Sequence, residues 1–223
     1  STQYVNSHDL PYLQIRKIPK TKRTIDDLID LNFLNREAAD YLIDNVKEGK
    51  SIIFCGKGAS GKTTLMNALL EYIPHDRSCL TIQENEELFS HTHPEIMFQH
   101  VVENTGEGRI RYTLKDLAIN GLLTDIDHFI IGEIKGAEAL YLLNASYTGS
   151  VCWTSIHSNK SIEALDKLTD YAKYESDYSK EDLLKMLTSF STIVFVKDFA
   201  VEEISEVIGW DEDKKEIKYE KVM

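Results

Sequence analysis

The chain has 223 residues, enough for one sizeable domain or one domain with a small appendage. With 42% hydrophobic and 28% charged residues it can build a real core, and a formal net charge of -12 argues against nucleic acid as its main partner. The three cysteines, Cys55, Cys79 and Cys152, form no CxxC pair, and no apolar run approaches the roughly 20 residues that span a bilayer. Reduced thiols in a cytoplasmic protein are therefore expected, with any membrane association made through partners.

The opening, to about Arg23, mixes prolines and basic residues with a strand-like piece, "YLQIRKI" (12–18). Its basic run "IRKIPKTKR" (15–23) reads as a solvated arm rather than a nucleic-acid interface. From Thr24 the pattern turns helical. "TIDDLIDL" opens with a capping box, Thr24 to Asp27, and "NREAADYLIDNVKEG" keeps apolar residues at helical spacing up to Gly49. "SIIFCG" (51–56) is a short buried strand, followed by a glycine-rich turn and the helix "KTTLMNALLEYI" (62–73).

Further strands are predicted at "CLTIQ" (79–83), "HFIIGEI" (128–134), "VCWTSIH" (151–157) and "STIVFVKDF" (191–199). Helices over 115–122, 137–145, 162–174 and 181–187 alternate with them, the last capped by Ser179 and Asp182. The tail, "ISEVIGWDEDKKEIKYEKV" (204–222), reads as a hairpin turning at "DEDKK". Strands alternating with helices predict an α/β fold, a mostly parallel sheet with helices on both faces.

"GKGASGKT", Gly56 to Thr63, matches G-x-x-x-x-G-K-[ST] at every fixed position and lies between a strand and a helix. Glycines let the backbone wrap so that successive N–H groups, from Gly58, Ala59, Ser60, Gly61 and onward to Thr64, point at phosphate oxygens. Lys62 supplies a point charge to the β- and γ-phosphates, and the Thr63 hydroxyl can ligate Mg²⁺. ATP and Mg²⁺ are the implied ligands.

Such sites also need a carboxylate near the metal and a group that orients water. Glu133 stands at the carboxyl end of an apolar strand, where open α/β sheets bind ligands. Taken alone it could equally be a solvent-facing glutamate at the sheet edge. "TIQENEEL" (81–88) is a second strand whose end carries Glu84, Glu86 and Glu87, and "YTGSVCWTSIHSN" (147–159) is a third that ends in His157. A lone histidine after a strand is usually structural. Three such strand ends beside a P-loop are harder to dismiss.

These motifs in this order resemble the secretion or traffic ATPase superfamily: P-loop, acidic box, a glycine-glutamate pair followed by a basic residue and glycine, then a histidine after a strand. Its members are hexameric motors of type II and type IV secretion, conjugation, and type IV or Flp/Tad pilus assembly. The likeness runs from about Leu13 to Leu168, and upstream of the P-loop it favours the Flp/Tad and type IV secretion branch. It implies a RecA-like P-loop ATPase domain over 46–223, with 1–45 a remnant of the family's N-terminal domain.

By that resemblance, Gly56, Gly61, Lys62, Thr63 and Thr64 form the phosphate and Mg²⁺ site. Glu84 and Glu87 occupy the aspartate box beside the metal, and Glu133 falls on the atypical Walker B glutamate that activates water. His157 falls on the histidine box, which senses the γ-phosphate. Gly132 stands where other P-loop ATPases have an aspartate.

The chain departs from the pattern at several points. The acidic box reads Ile82, Gln83, Glu84; Lys135 replaces an arginine; Ser150 replaces the earlier histidine; and Leu123 and Asp125 stand where arginines would sit. Arginines of the N-terminal domain reach the phosphates in this family. Arg16 is the match for that role, with Arg109 and Arg111 as loop alternatives, and all three could instead be solvated surface arginines.

The resemblance thus implies a Mg²⁺-ATP hydrolysing motor subunit of a homo-oligomeric, hexameric ring. It would be cytoplasmic, peripheral to the inner face of the membrane, and partnered by inner-membrane components of a secretion or pilus apparatus. No direct nucleic-acid binding is expected. The alternative is a nucleotide-binding scaffold or regulatory subunit with little hydrolysis. A small P-loop kinase is disfavoured, since no arginine-rich lid follows the P-loop.

Overall fold

The computed structural model describes residues 21–103 and 110–223. Helices α1 (Ile25–Asp30) and α2 (Arg36–Lys47) precede strand β1 (Ile52–Gly56) and helix α3 (Lys62–Leu70). Strands β2 (Cys79–Gln83) and β3 (Ile96–His100) follow, then two short strands, β4 (Val102–Glu103) and β5 (Arg111–Tyr112), and helix α4 (Leu114–Gly121). Next come β6 (His128–Ile131), α5 (Glu138–Tyr147), β7 (Val151–His157), α6 (Ser161–Ala172) and α7 (Lys180–Leu187). The described chain closes with β8 (Thr192–Lys197), β9 (Ala200–Asp211) and β10 (Glu216–Lys221).

Eight strands form one sheet in the order β10-β9-β8-β1-β7-β6-β2-β3. The six from β8 to β3 are parallel, and β9 and β10 extend one edge antiparallel. The predicted α/β class holds, because the central strands carry apolar side chains on both faces. In β1, Ile53 and Cys55 enter one core with α4, α5, α6 and α7, while Ile52 and Phe54 enter the other with α1, α2 and α3. In β6 the same alternation sends Phe129 and Ile131 one way and Ile130 the other. All three cysteines are free and buried, and burial pushes the Cys55 and Cys79 thiols up to about 12.

Local chemistry sets the helix starts. Thr24, Thr113 and Ser179 each close a capping box with an aspartate three residues on, a device worth about 1 kcal/mol per helix. Packing ties the residues ahead of β1 to the elements that follow at two places. The boundary at 45/46 falls inside α2, whose Leu42 and Val46 share a core with Phe54 of β1 and Leu65 of α3, so residues 25–47 are part of the same packed unit. In the described end of the basic arm, Thr21 and Arg23 are exposed but Lys22 is packed. Lys22 pairs with Glu71, donates to the Asn67 carbonyl at 3.1 Å and lies over the Phe89 ring. Burial lowers its pKa, against the pull of Glu71.

Candidate functional site

The parallel strands β2, β6, β7, β1 and β8 finish at one rim of the sheet, so the loops that follow them converge. Strand β7 separates β1 from β6, and its register sets His157 opposite Gly56, the first glycine of the P-loop. The P-loop and the Glu133 turn therefore stand on either side of His157.

Two glycines of the Gly56–Thr63 loop stand where a side chain would not fit. Gly56 and Gly61 have φ of 147° and 104°. A Cβ at Gly56 would fall 2.0 Å from the Val196 carbonyl oxygen, and one at Gly61 would fall 2.5 Å from the Phe33 ring. Gly61 is the N-cap of α3 and supplies no side-chain cap, so the first N–H groups of the helix are left for a ligand or solvent. The Ser60 hydroxyl is buried there with no hydrogen-bond partner among the described residues. Lys62 is buried, and its Nζ donates to the carbonyls of Gly56 (3.1 Å) and Lys57 (2.8 Å). Burial lowers its pKa, and the charge of Glu133 opposes that shift.

Glu133 leaves β6 two residues beyond its last strand residue. The peptide before it is pinned on both sides: the Gly132 N–H donates to the Ile82 carbonyl at 2.8 Å, and the Ser155 hydroxyl donates to the Gly132 carbonyl at 2.8 Å. Glu133 Oε1 lies 2.7 Å from His157 Nε2, and its Oε2 lies 3.1 Å from Lys135 Nζ. Lys135 also reaches Glu84 beyond the end of β2. Burial works to lower the Lys135 pKa, but Glu84 and Glu133 together raise it. For His157, burial and then Lys62 lower the pKa while Glu133 pulls the other way. The lowered pKa favours the neutral imidazole, whose Nε2–H tautomer can donate a hydrogen bond to the carboxylate at this distance. A Cβ at Gly58 would meet His157 Cε1 at 3.3 Å, which puts the ring against the phosphate loop.

The acidic loop after β2 is held by two amides. Buried Gln83 accepts from the N–H groups of Glu87 (2.9 Å) and Leu88 (2.7 Å), and Asn67 of α3 donates to the Glu87 carbonyl at 2.6 Å. Glu84 and Glu87 line one cleft of about 780 Å³ with Gly58 to Thr64, Glu133, Lys135, His157 and Phe199. Glu86 turns away, 3.3 Å from His100 Nδ1. Among the described residues no cluster of three or more His, Cys, Asp or Glu is arranged to hold a metal. A magnesium ion that keeps waters and phosphate oxygens in its shell needs only one or two protein groups, and Thr63, Glu84 and Glu87 open onto the cleft.

The sequence-predicted residues Gly58, Ala59, Ser60, Gly61, Lys62, Thr63, Thr64, Glu84, Glu87, Glu133 and His157 thus come together. Arg111 does not join them; it is exposed on β5, where its charge acts on Asp116. Arg16 and Arg109 lie outside the described residues. Sequence reasoning missed Lys135 as the bridge between Glu84 and Glu133, Gln83 as the brace of the acidic loop, and Phe199 on the cleft wall. Only Gln83 carried a signal, as a buried amide ending an apolar strand.

Residues 7–195 match the family model described as Type II/IV secretion system protein. The chain is 32% identical over 148 residues to the uncharacterized protein MJ0900 of Methanocaldococcus jannaschii, covering 66% of this chain and 26% of that one. It is 27% identical over 169 residues to the type IV secretion system protein VirB11 of Bartonella quintana, covering 73% and 46%. The chain thus spans a quarter to about half of the length of these relatives. Among solved structures, the VirB11 ATPase of the Brucella suis type IV secretion system, in complex with sulphate, superposes with a TM-score of 0.61. That match has 22% identity and covers 92% of this chain and 63% of the other, a likeness of fold.

Proposed function

The chain belongs to the type II/IV secretion system protein family, and from that premise we propose that it is an ATPase motor subunit. It hydrolyses Mg²⁺-ATP to power a secretion, conjugation or pilus-assembly machine. The observation that carries this reading is the convergence of Lys62, Glu133 and His157 on one cleft.

The roles follow from the chemistry. The N–H groups of the loop and the Lys62 ammonium hold the phosphates, and the buried, unpartnered Ser60 hydroxyl and uncapped start of α3 fit an anion there. Thr63, with Glu84 and Glu87, would hold Mg²⁺, which offsets the charge of the phosphates. Glu133 orients the attacking water and takes its proton, using a lone pair that the single contacts to His157 and Lys135 leave open on its oxygens. His157, against Gly58 and bonded to Glu133, registers whether the loop is filled. An arginine supplied from outside this cleft, Arg16 or Arg109 of this chain or one from a neighbouring subunit, stabilises the transition state. The working form is a homo-oligomeric ring of six, peripheral to a membrane through its partners. Among the described residues no helix is long and apolar enough to cross a membrane.

One observation favours a nucleotide-binding scaffold instead: both oxygens of Glu133 are already engaged, by His157 and by Lys135. Steady-state hydrolysis measured across protein concentrations separates the two. Turnover per subunit that rises with concentration supports the ring motor; tight ATP binding with negligible turnover at every concentration supports the scaffold.

A further inference from the structure

Phe199 occupies a position that its own backbone disfavours. Strands β8 and β9 are joined by a two-residue loop, Asp198-Phe199, with φ of 48° and 61°, and Lys197 pairs with Ala200 across it. Positive φ at both central residues is the type I′ hairpin geometry, which asparagine and glycine fill at little cost. A bulky aromatic residue in the left-handed region is a strained outlier. Burial does not offset that strain, because Phe199 is 65% exposed. Strained residues of this kind gather at ligand sites.

The ring's surroundings identify the ligand. Phe199 is the one large, exposed apolar side chain lining the phosphate cleft among the described residues; the other large apolar residue there, Leu88, is buried. It lies beside Gly61, whose added Cβ would approach Phe199 Cδ1 at 3.6 Å. The hairpin is anchored by the Val201 N–H, which donates to the Phe33 carbonyl at 2.7 Å. The sheet order β8-β1-β7-β6 puts Phe199, after β8, on the opposite side of the P-loop from Glu133, after β6. A polyphosphate whose terminal group faces Glu133 and His157 therefore runs toward Phe199 with its other end, where a nucleoside is attached.

We propose that Phe199 is the platform on which the base of the bound nucleotide stacks. The inference rests on the phosphate-site reading above. Stacking on an aromatic face tolerates any base, so the site takes purine and pyrimidine nucleotides, the larger purine ring more tightly.

The test is equilibrium binding of Mg²⁺-ADP and of inorganic pyrophosphate with Mg²⁺ to the parent, Phe199→Gly and Phe199→Trp proteins. Phe199→Gly should weaken ADP about tenfold, leave pyrophosphate unchanged, and leave the melting temperature equal or higher because the left-handed turn is relaxed. Phe199→Trp should retain ADP affinity. The proposal is overturned if Phe199→Gly binds ADP as the parent does, or if ADP and pyrophosphate weaken in equal proportion. If the parent binds neither ligand, the phosphate-site reading fails, and this proposal with it.

Discussion

His157 Nε2 and Glu133 Oε1 lie 2.7 Å apart, joining the ends of β7 and β6 directly beside Gly58 of the phosphate loop. Neither residue belongs to the loop, yet the contact ties loop, histidine and carboxylate into one unit. The consequences can be measured separately.

Replacing His157 with alanine should cost activity more than stability. Its side chain is about half exposed, and a polar contact of that kind contributes ~0–1 kcal/mol. The melting temperature should fall by no more than about 4 °C, while turnover falls by at least about tenfold. Calorimetry beside a hydrolysis assay checks this, and a collapsed melting temperature with normal turnover in the remaining folded protein would make the histidine structural.

The protonation of His157 should report its neighbours. Burial and Lys62 lower its pKa while Glu133 raises it, so its NMR titration midpoint should lie below the ordinary 6.5. Glu133→Gln removes the raising charge and should move the midpoint lower still. Lys62→Ala removes a lowering charge and should move it up. Shifts of the opposite sign would contradict the arrangement.

Lys62→Ala should weaken ATP binding by about a hundredfold, the worth of charge-assisted hydrogen bonds to phosphate. Its Nζ otherwise donates only to the loop carbonyls of Gly56 and Lys57 among the described contacts, so folding should survive. Titration with ATP, followed by thermal melting of the same sample, tests both halves.

Acid sensitivity should arise at the opposite rim of the sheet. His128 is buried, neither ring nitrogen has a hydrogen-bond partner among the described residues, and burial pushes its pKa down to about 4, with Asp127 opposing and Arg77 and His93 adding to it. The unfolded chain takes up this proton near pH 6.5 and the folded one only near 4. The stability is therefore complete above about 6.5 and is lost progressively as the pH falls toward 4, by about 3 kcal/mol in all. His128→Phe should flatten denaturant midpoints over that window. Asp27 and Asp116, whose pKa values are lowered from 3.8 by hydrogen bonds to Thr24 and Thr113, act only below it.

The legible parts of the fold were those set by local pattern. The P-loop shows in its spacing, the central strands in runs such as Ile52 to Cys55 that are apolar on both faces, and the helix starts in the boxes at Thr24 and Ser179. Strand β3 was missed because it is a short edge strand with Met97 and Phe98 exposed, so it lacks a buried run. The turn into β9 was missed because Asp198-Phe199 lacks the glycine that marks type I′ hairpins. The link from Lys135 to Glu84 depends on β2 and β6 lying side by side, a pairing across 51 residues that no local pattern encodes. The ring nitrogens of His128, without a partner among the described residues, were hidden for a similar reason, since Arg77 and His93 come from separate loops.

The most direct test of the account is Glu133→Gln, with ATP affinity and single-turnover hydrolysis measured on the same protein. The substitution keeps the shape and loses the base. The account predicts ATP binding within about threefold of the parent and hydrolysis slowed by about a hundredfold or more. Hydrolysis at the parental rate would contradict it, because the water would then be activated by some group other than Glu133.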